Sequence, residues 1–158
     1  MSAVLKSSLE VTNAYYFNAK KRNYHFAHEI ADDVKNVRSN DVIKRHLQHL
    51  RRVYALDSLE YYPSLFGARM VIVSDDETIP MIPPVSLEFL QKGIKTQVDA
   101  STIHQFGEGN LVRVIVPVKE GSDRGAIVVS SFVPLSLISK MNDISAAYDE
   151  FRDINPLE

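Results

Sequence analysis

The sequence predicts an α+β fold, with a five-stranded antiparallel sheet and helices placed before and after it. Five short runs rich in β-branched and aromatic residues follow one another between residues 59 and 133. Turn residues separate them, as in the stretch from Gly107 to Asn110. Only one helical segment interrupts these runs, whereas a parallel sheet needs a crossover helix between most strand pairs. We therefore expect hairpin connections and an antiparallel sheet.

The first predicted element is a long helix over residues 3–37, a stretch that contains no proline and no glycine. A helix rises about 1.5 Å per residue and would here be about 50 Å long, whereas a globule of this size is roughly 30 Å across. Part of the helix should therefore extend beyond the body. Side chains recur along it at alternating spacings of three and four, the pattern of one helical stripe: Leu5, Leu9, Thr12, Tyr16, Ala19, Asn23, Phe26, Ile30, Val34 and Val37.

We expect this stripe to join two copies of the chain in a homodimer, because a heptad-like repeat is typical of paired helices. The dimerisation surface would include Leu5, Leu9, Tyr16 and Ile30. An alternative holds for the second half of the helix, where a broad apolar face would also suit packing against the chain's own core. The residues of that face are Phe26, Ala27, Ile30, Ala31 and Val34.

A second helix is predicted over residues 41–54, because Ser39 or Asn40 can cap its first turn. Two strands should follow over residues 59–62 and 68–73. A turn between them is indicated by the proline, serine and glycine that separate the two apolar runs.

Three prolines within residues 80–84 exclude regular structure from that segment. Ser86 should then cap a short helix that ends at Gly93. The last three strands are predicted over residues 101–106, 111–118 and 125–133. Pro134 suits the first turn of a final helix. Its apolar residues recur at spacings of four and three: Leu137, Met141, Ile144, Tyr148 and Phe151.

The chain has 158 residues, of which 45% are hydrophobic, and a formal net charge of −2. This length predicts one domain over residues 1–158, made of the long helix (3–37), a core (41–133) and an exit helix (134–155). The near-neutral charge argues against nucleic-acid binding. No apolar run approaches the roughly 18 residues that a membrane span needs. The absence of cysteine excludes disulfides, thiolate nucleophiles and cysteine-ligated zinc.

The sequence contains no motif for a resident cofactor or metal, and we expect neither. Glycine-rich nucleotide fingerprints are absent. The helical histidines form pairs three residues apart, His25 with His28 and His46 with His49. Such pairs can share a metal, but the HExxH order of zinc proteases is absent, and ordinary surface histidines explain the pattern. We assign no catalytic residue.

Charged and polar residues inside otherwise apolar strands are the most informative candidates for ligand binding. Arg69, His104 and Arg113 each interrupt such a run, and Tyr61 and Tyr62 are adjacent on the first strand. If one face of the sheet forms a pocket, arginine offers a bidentate fork for a carboxylate and tyrosine an amphipathic wall. The alternative is that the arginines lie on an open sheet face and point into water.

Three segments resemble the extracytoplasmic sensor domain of NtrY-like sensor histidine kinases. Residues 3–11 (AVLKSSLEV) resemble the stretch that follows the first membrane helix in that family. Residues 56–62 (LDSLEYY) are similar to its first-strand region. Residues 133–135 (VPL) and 144–151 (ISAAYDEF) look like the exit helix that runs back toward the second membrane helix. The resemblance spans nearly the whole chain.

The resemblance implies a PAS-like fold of the PDC or single-Cache type, in a periplasmic domain of a bacterial inner-membrane receptor. It implies that both terminal helices continue into the membrane. The kinase region, which signals to a response regulator, would lie outside this chain, so the chain itself would not be an enzyme. Amino-acid-binding Cache domains carry an aromatic–Arg–aromatic motif and a later Asp. That pattern is not found here, so the ligand stays unidentified.

Three functions are compatible with these observations. The first is a sensor that binds a small molecule between the sheet and residues 80–94 and moves its terminal helices in response. The second is a structural spacer that dimerises the receptor, binds nothing and has a filled core. The third is a small α+β enzyme, which would need a convergent set of acid, base or nucleophile. For this the sequence offers only His104 with the arginines and tyrosines.

Overall fold

The computed structural model describes residues 3–120 and 123–154, with side chains for residues 9–119 and 125–152. The described helices are α1 (Ala3–Val34), α2 (Asn40–Val53), α3 (Leu87–Ile94) and α4 (Leu135–Ile154). The described strands are β1 (Ser58–Tyr62), β2 (Met70–Val73), β3 (Ala100–Phe106), β4 (Gly109–Glu120) and β5 (Asp123–Pro134). Within these residues, no helix combines the length and apolar character that crossing a membrane requires.

The five strands form one antiparallel sheet in the order β2-β1-β5-β4-β3. β5 lies at its centre, between β1 and the long partner strand β4. This register places Arg113 of β4 opposite Ser130 of β5 on one side and opposite Thr102 of β3 on the other. The predicted α+β class with a five-stranded antiparallel sheet is confirmed.

α2 and α3 begin where the sequence supplies capping serines. Ser39 Oγ accepts a hydrogen bond from Val42 N at 3.5 Å, and Ser86 Oγ accepts one from Phe89 N at 3.1 Å. These bonds satisfy amide groups that a first helical turn leaves free. Apolar residues at helical spacing then turn one face of each helix inward. They are Ile43, Leu47 and Leu50 in α2, and Phe89, Leu90 and Ile94 in α3.

Gly93 lies within α3, whereas the sequence predicted that it ends the helix. The helix continues to Ile94. A Cβ atom at position 93 would lie 2.5 Å from Cδ1 of Ile115 on β4. The glycine therefore allows α3 to approach the sheet closely.

The sheet separates two hydrophobic clusters. The second half of α1 and all of α2 cover one face, where alternate residues of the central strands such as Val114, Val116 and Val129 point. α3 covers part of the other face, where it packs against Ile115 and Val128. The sheet thus has α1 and α2 on one side and α3 on the other.

The predicted stripe on α1 faces the chain's own sheet over the second half of the helix. Ile30 and Val34 are 0% and 1% exposed. Asn23 is also buried, where its Nδ2 donates to Val112 O at 3.2 Å and its Oδ1 accepts from Ser131 Oγ at 3.1 Å. The second half of α1 thus packs against the chain's own core, which is the alternative that the sequence left open. The expectation that Ile30 lies on a dimerisation surface was therefore wrong, because its side chain is enclosed within its own domain.

α1 also packs against α4, and hydrogen bonds of its first half reach both α4 and the start of β4. Thr12 Oγ1 donates to Asn142 Oδ1 at 3.2 Å and links the two helices. Tyr16 is half-buried, and its hydroxyl accepts from Asn110 Nδ2 at 3.0 Å. These contacts join both terminal helices to one end of the sheet.

Candidate ligand-binding site

β1 places an acidic side chain inside the domain. Successive side chains of a strand point to opposite faces, so Glu60 and Tyr62 lie on the α3 side while Leu59 and Tyr61 pack on the α1–α2 side. Glu60 is only 1% exposed. A buried carboxylate is strongly unfavourable unless charged partners and hydrogen bonds surround it.

Arg113 supplies the first of these partners. Its side chain is 2% exposed, and its Nη2 donates to Glu60 Oε2 at 2.7 Å. Its Nε donates to Ser130 Oγ at 3.0 Å, and its Nη1 donates to Pro83 O at 2.9 Å. The sheet order explains why Arg113 reaches both Ser130 and Glu60, because β5 holds Ser130 opposite Arg113 and lies directly beside β1. The three bonds hold the guanidinium in one orientation.

A second guanidinium reaches the other oxygen of the same carboxylate. Arg69 Nη1 donates to Glu60 Oε1 at 2.5 Å, and the Tyr62 hydroxyl donates to that oxygen at 3.0 Å. Burial, followed by the negative charge of Glu60, raises the pKa of Tyr62, so its hydroxyl keeps the proton that it donates. Glu60, Tyr62, Arg69, Arg113 and Ser130 are called the Glu60 network below.

A cavity of about 520 Å³, called cavity 1, opens beside this network between α3 and the strands β3 and β4. Arg113 lines it from β4, Thr102 and His104 from β3, Phe89 from α3, and Pro83 from the segment before α3. Its volume and its mixture of apolar and hydrogen-bonding groups are typical of small-molecule sites. It lies where the sequence placed a pocket, between the sheet and residues 80–94.

Charges of both signs surround cavity 1. Glu88 and Lys92 lie four residues apart on α3 and are exposed. Within the network, Glu60 pairs with both Arg69 and Arg113, so the three groups together carry one net positive charge. His104 is half-buried, with its Nδ1 at 3.4 Å from Gln105 O. The arrangement favours a small polar ligand without a large net charge.

Three of the five residues predicted to bind a ligand come together in the Glu60 network, namely Tyr62, Arg69 and Arg113. His104 lines cavity 1 together with Arg113. Tyr61 does not reach this face, because neighbouring strand residues point to opposite sides and its ring packs on the α1–α2 side. The alternative stated that the arginines point into water, and for Arg113 this is wrong, because its side chain is only 2% exposed. Arg69 lies just before β2 and is 30% exposed.

The centre of the network was missed by sequence reasoning. Glu60 is an acidic residue within the apolar run 59–62, which is the same kind of signal that singled out Arg113. A search for acidic as well as basic residues within apolar strand runs would have found Glu60. Ser130 and Pro83 carry no comparable signal, because their roles depend on strand register and on a backbone carbonyl.

A second cavity of about 770 Å³, called cavity 2, lies where α4 begins. Thr78 and Pro80 line it from the segment after β2, Phe132 from β5, and Leu135 and Ser136 from the first turn of α4. The site residues predicted from the sequence do not line this cavity.

Asp57 also lines cavity 2, and its Oδ2 accepts from Phe132 N at 2.8 Å. Burial raises the pKa of this carboxyl, although the hydrogen bond from Phe132 opposes the effect. A raised folded-state pKa means that protonation favours the fold. This contribution is fully present below the unfolded-state pKa and is lost as the pH rises through the folded-state pKa.

We therefore expect the parent to gain stability relative to Asp57→Asn as the pH falls from about 7 to about 4. Asparagine has the same shape and keeps an oxygen for Phe132 N, but it does not titrate. Urea unfolding of both proteins across this range measures the difference. A difference that does not change with pH would contradict the assignment.

Metal-ligating side chains do not cluster in the described part of the chain, where no three histidine or acidic residues come together. Two of the helical histidines contact carboxylates of other segments. His28 Nε2 lies 2.7 Å from Asp99 Oδ2, and His46 Nε2 lies 3.3 Å from Asp33 Oδ2. Each contact lies within hydrogen-bond distance and joins two elements at the surface.

Known proteins resemble this chain in structure, whereas comparisons of sequence found no match. No family model matches the sequence, and no curated protein matches it significantly. The chain is similar to the ligand-binding domain of the Pseudomonas aeruginosa PAO1 amino acid chemoreceptor PctC in complex with GABA. That match has 13% identity and a TM-score of 0.53, and it covers 84% of this chain and 59% of that one.

The chain is also similar to the sensory domain of the Campylobacter jejuni chemoreceptor Tlp3 (CcmL) with isoleucine bound. This match has 10% identity and a TM-score of 0.51, and it covers 88% of this chain and 60% of that one. The chain thus spans about three fifths of the length of these structures. At such identities the likeness establishes the architecture alone, and this protein has a PAS-like α+β fold that it shares with these two domains.

Proposed function

We propose that this chain is the extracytoplasmic signal-sensing domain of a bacterial two-component sensor histidine kinase, and that it binds a small molecule in cavity 1. The parent would be anchored in the inner membrane, with this domain in the periplasm. Its kinase region would signal to a cognate response regulator. The chain itself would carry no catalysis and would need no cofactor.

The observation that carries this proposal is the position of cavity 1. The cavity adjoins a rigid, buried ion-pair network and has apolar and hydrogen-bonding groups on both sides. The two similar structures are described as a ligand-binding domain with GABA and a sensory domain with isoleucine. The resemblance of three segments to NtrY-like kinases supports the histidine-kinase context.

A ligand-free spacer is the second candidate. It is favoured by one observation, namely that the chain's own groups already satisfy Arg113 and Glu60. A spacer predicts a filled core, and the open volume of cavity 1 argues against that. The enzyme reading is weaker, because the hydrogen-bond contact described for His104 is a backbone carbonyl and not an orienting carboxylate.

Thermal unfolding in the presence of a panel of small polar metabolites tests the proposal. A ligand at about 100 times its dissociation constant stabilises the fold by about 2.7 kcal/mol. For a domain of this size that corresponds to a rise in the melting temperature of roughly 5–10 °C. A panel in which no compound raises the melting temperature would favour the spacer.

The homodimer is proposed to form through the first half of α1. Several apolar side chains are exposed there, and Leu9 is 44% exposed while Phe17 is 59% exposed. Leu5 lies in the same helix, but its side chain is outside those that the structure describes. Tyr16 is half-buried through its contact with Asn110 and would lie at the edge of such a surface.

A chain lacking residues 4–16 is expected to lose self-association and keep its fold. Among the described side chains of α1, the buried ones begin at Asn23, so the core cluster survives the deletion. Sedimentation velocity measures the oligomeric state, and circular dichroism with thermal unfolding controls for the fold. A shortened chain that associates as strongly as the parent, or a parent that is monomeric at high concentration, would exclude this surface.

A further inference from the structure

The segment between β2 and α3, residues 74–86, crosses the sheet face that carries the Glu60 network. We call it the strap. It has no regular secondary structure, and its three prolines restrict its backbone. Ile82 is 7% exposed, which shows that the strap lies against the domain. The bond from Arg113 Nη1 to Pro83 O, at 2.9 Å, ties the strap to β4.

The two ends of the strap line different cavities. Residues 83–86 line cavity 1, and residues 78–80 line cavity 2. Only two residues lie between Pro80 and Pro83, and both prolines have a fixed φ angle. We expect a displacement at one end of this short, restricted segment to reach the other end.

Cavity 2 brings the strap next to the first turn of α4. Leu135 and Ser136 line the cavity together with residues 78–80. The strap is compact at this end, because Thr78 donates to Asp76 Oδ1 from its backbone N at 2.9 Å and from its hydroxyl at 2.7 Å. A backbone bond from Leu135 N to Glu108 O at 2.9 Å holds the start of α4 here.

We propose that the strap is a lever that couples occupancy of cavity 1 to the position of α4. This inference rests on the proposed function, since it describes how the same site is read out. A molecule in cavity 1 contacts residues 83–86 and displaces Pro83 O from Arg113. The strap then shifts residues 78–80 against the first turn of α4. The movement breaks one hydrogen bond, while Arg113 keeps Glu60 and Ser130.

Spin-label distances test the coupling without any ligand. The chain has no cysteine, so introduced cysteines take labels at defined positions. The pair Met81→Cys and Gln105→Cys reports the strap relative to β3. The pair Gln105→Cys and Lys140→Cys reports α4 relative to β3. All three positions are exposed, and pulsed EPR measures both distances.

Two variants loosen the strap by different routes. Pro83→Gly makes the backbone of the strap flexible. Arg113→Lys removes the guanidinium that donates to Pro83 O but keeps a positive charge beside Glu60. Pro63→Gly, in the turn after β1, is the matched control. We expect both strap variants to broaden the 81–105 distribution and to shift the mean 105–140 distance by about 1–2 Å. The control should change neither distance.

A 105–140 distance that stays constant while the 81–105 distribution broadens would overturn the coupling. An 81–105 distribution that is unchanged in both variants would show that Arg113 does not hold the strap, which would also overturn it. A failed metabolite screen combined with the expected label distances would remove the ligand from the proposed function and leave the lever in place. The two proposals therefore fail in distinguishable ways.

Discussion

Replacement of Arg113 with methionine is expected to lower the free energy of unfolding by about 3–5 kcal/mol, the range for breaking a buried ion pair from one side. Methionine occupies a comparable volume but removes the donors to Glu60, Ser130 and Pro83. The carboxylate of Glu60, which is 1% exposed, then keeps only Arg69 as a charged partner among the described residues. Urea unfolding at neutral pH measures the loss.

Two further variants separate the ion pair from simple packing. The double variant Glu60→Leu, Arg113→Met should recover most of the loss, because it leaves no unpaired charge in the interior. Arg69→Met makes the same exchange at a guanidinium that is 30% exposed and should cost at most about 1 kcal/mol. If both single arginine variants cost the same, the buried network is not what stabilises this face of the sheet.

Thr102→Trp is expected to abolish the ligand-dependent rise in melting temperature, a loss of about 2.7 kcal/mol of stabilisation at a ligand concentration of about 100 times the dissociation constant. Thr102 is half-buried on β3 and lines cavity 1. An indole ring there occupies the space that a ligand needs. The substitution is compatible with the fold, because aromatic residues are well tolerated in strands.

Thr96→Trp is the matched control for this experiment, since it makes the same exchange at an exposed position that lines neither cavity. We expect it to keep the rise in melting temperature that the parent shows with each active compound. Titration calorimetry with the most active compound measures both variants directly. Equal loss of binding in the two variants, or loss in Thr96→Trp alone, would place the ligand outside cavity 1.

Those features of the fold that depend on local patterns could be predicted from the sequence. β-branched runs between turn residues indicated five strands, and serine caps marked the starts of α2 and α3. Strand alternation also placed Arg113 on the face opposite Val112 and Val114, as the structure has it. The class of fold was predictable because each of these signals lies within a few residues.

Contacts between distant residues could not be predicted in this way. The bond between Arg113 and Glu60 joins positions 53 residues apart, and it requires β5 to lie between β1 and β4. The stripe on α1 shows the same limit. A repeat of three and four marks a buried face, but it does not distinguish a partner helix from the chain's own sheet. In the structure, the sheet covers that stripe from Asn23 onward.

A crystal structure with the compound that raises the melting temperature most tests directly whether cavity 1 holds a small-molecule ligand. We expect this compound to lie between α3 and the strands β3 and β4, in contact with Phe89, Thr102 and His104. If the compound is bound in cavity 2 or on the outer surface, and cavity 1 is unoccupied at saturating concentration, cavity 1 is not the ligand-binding site.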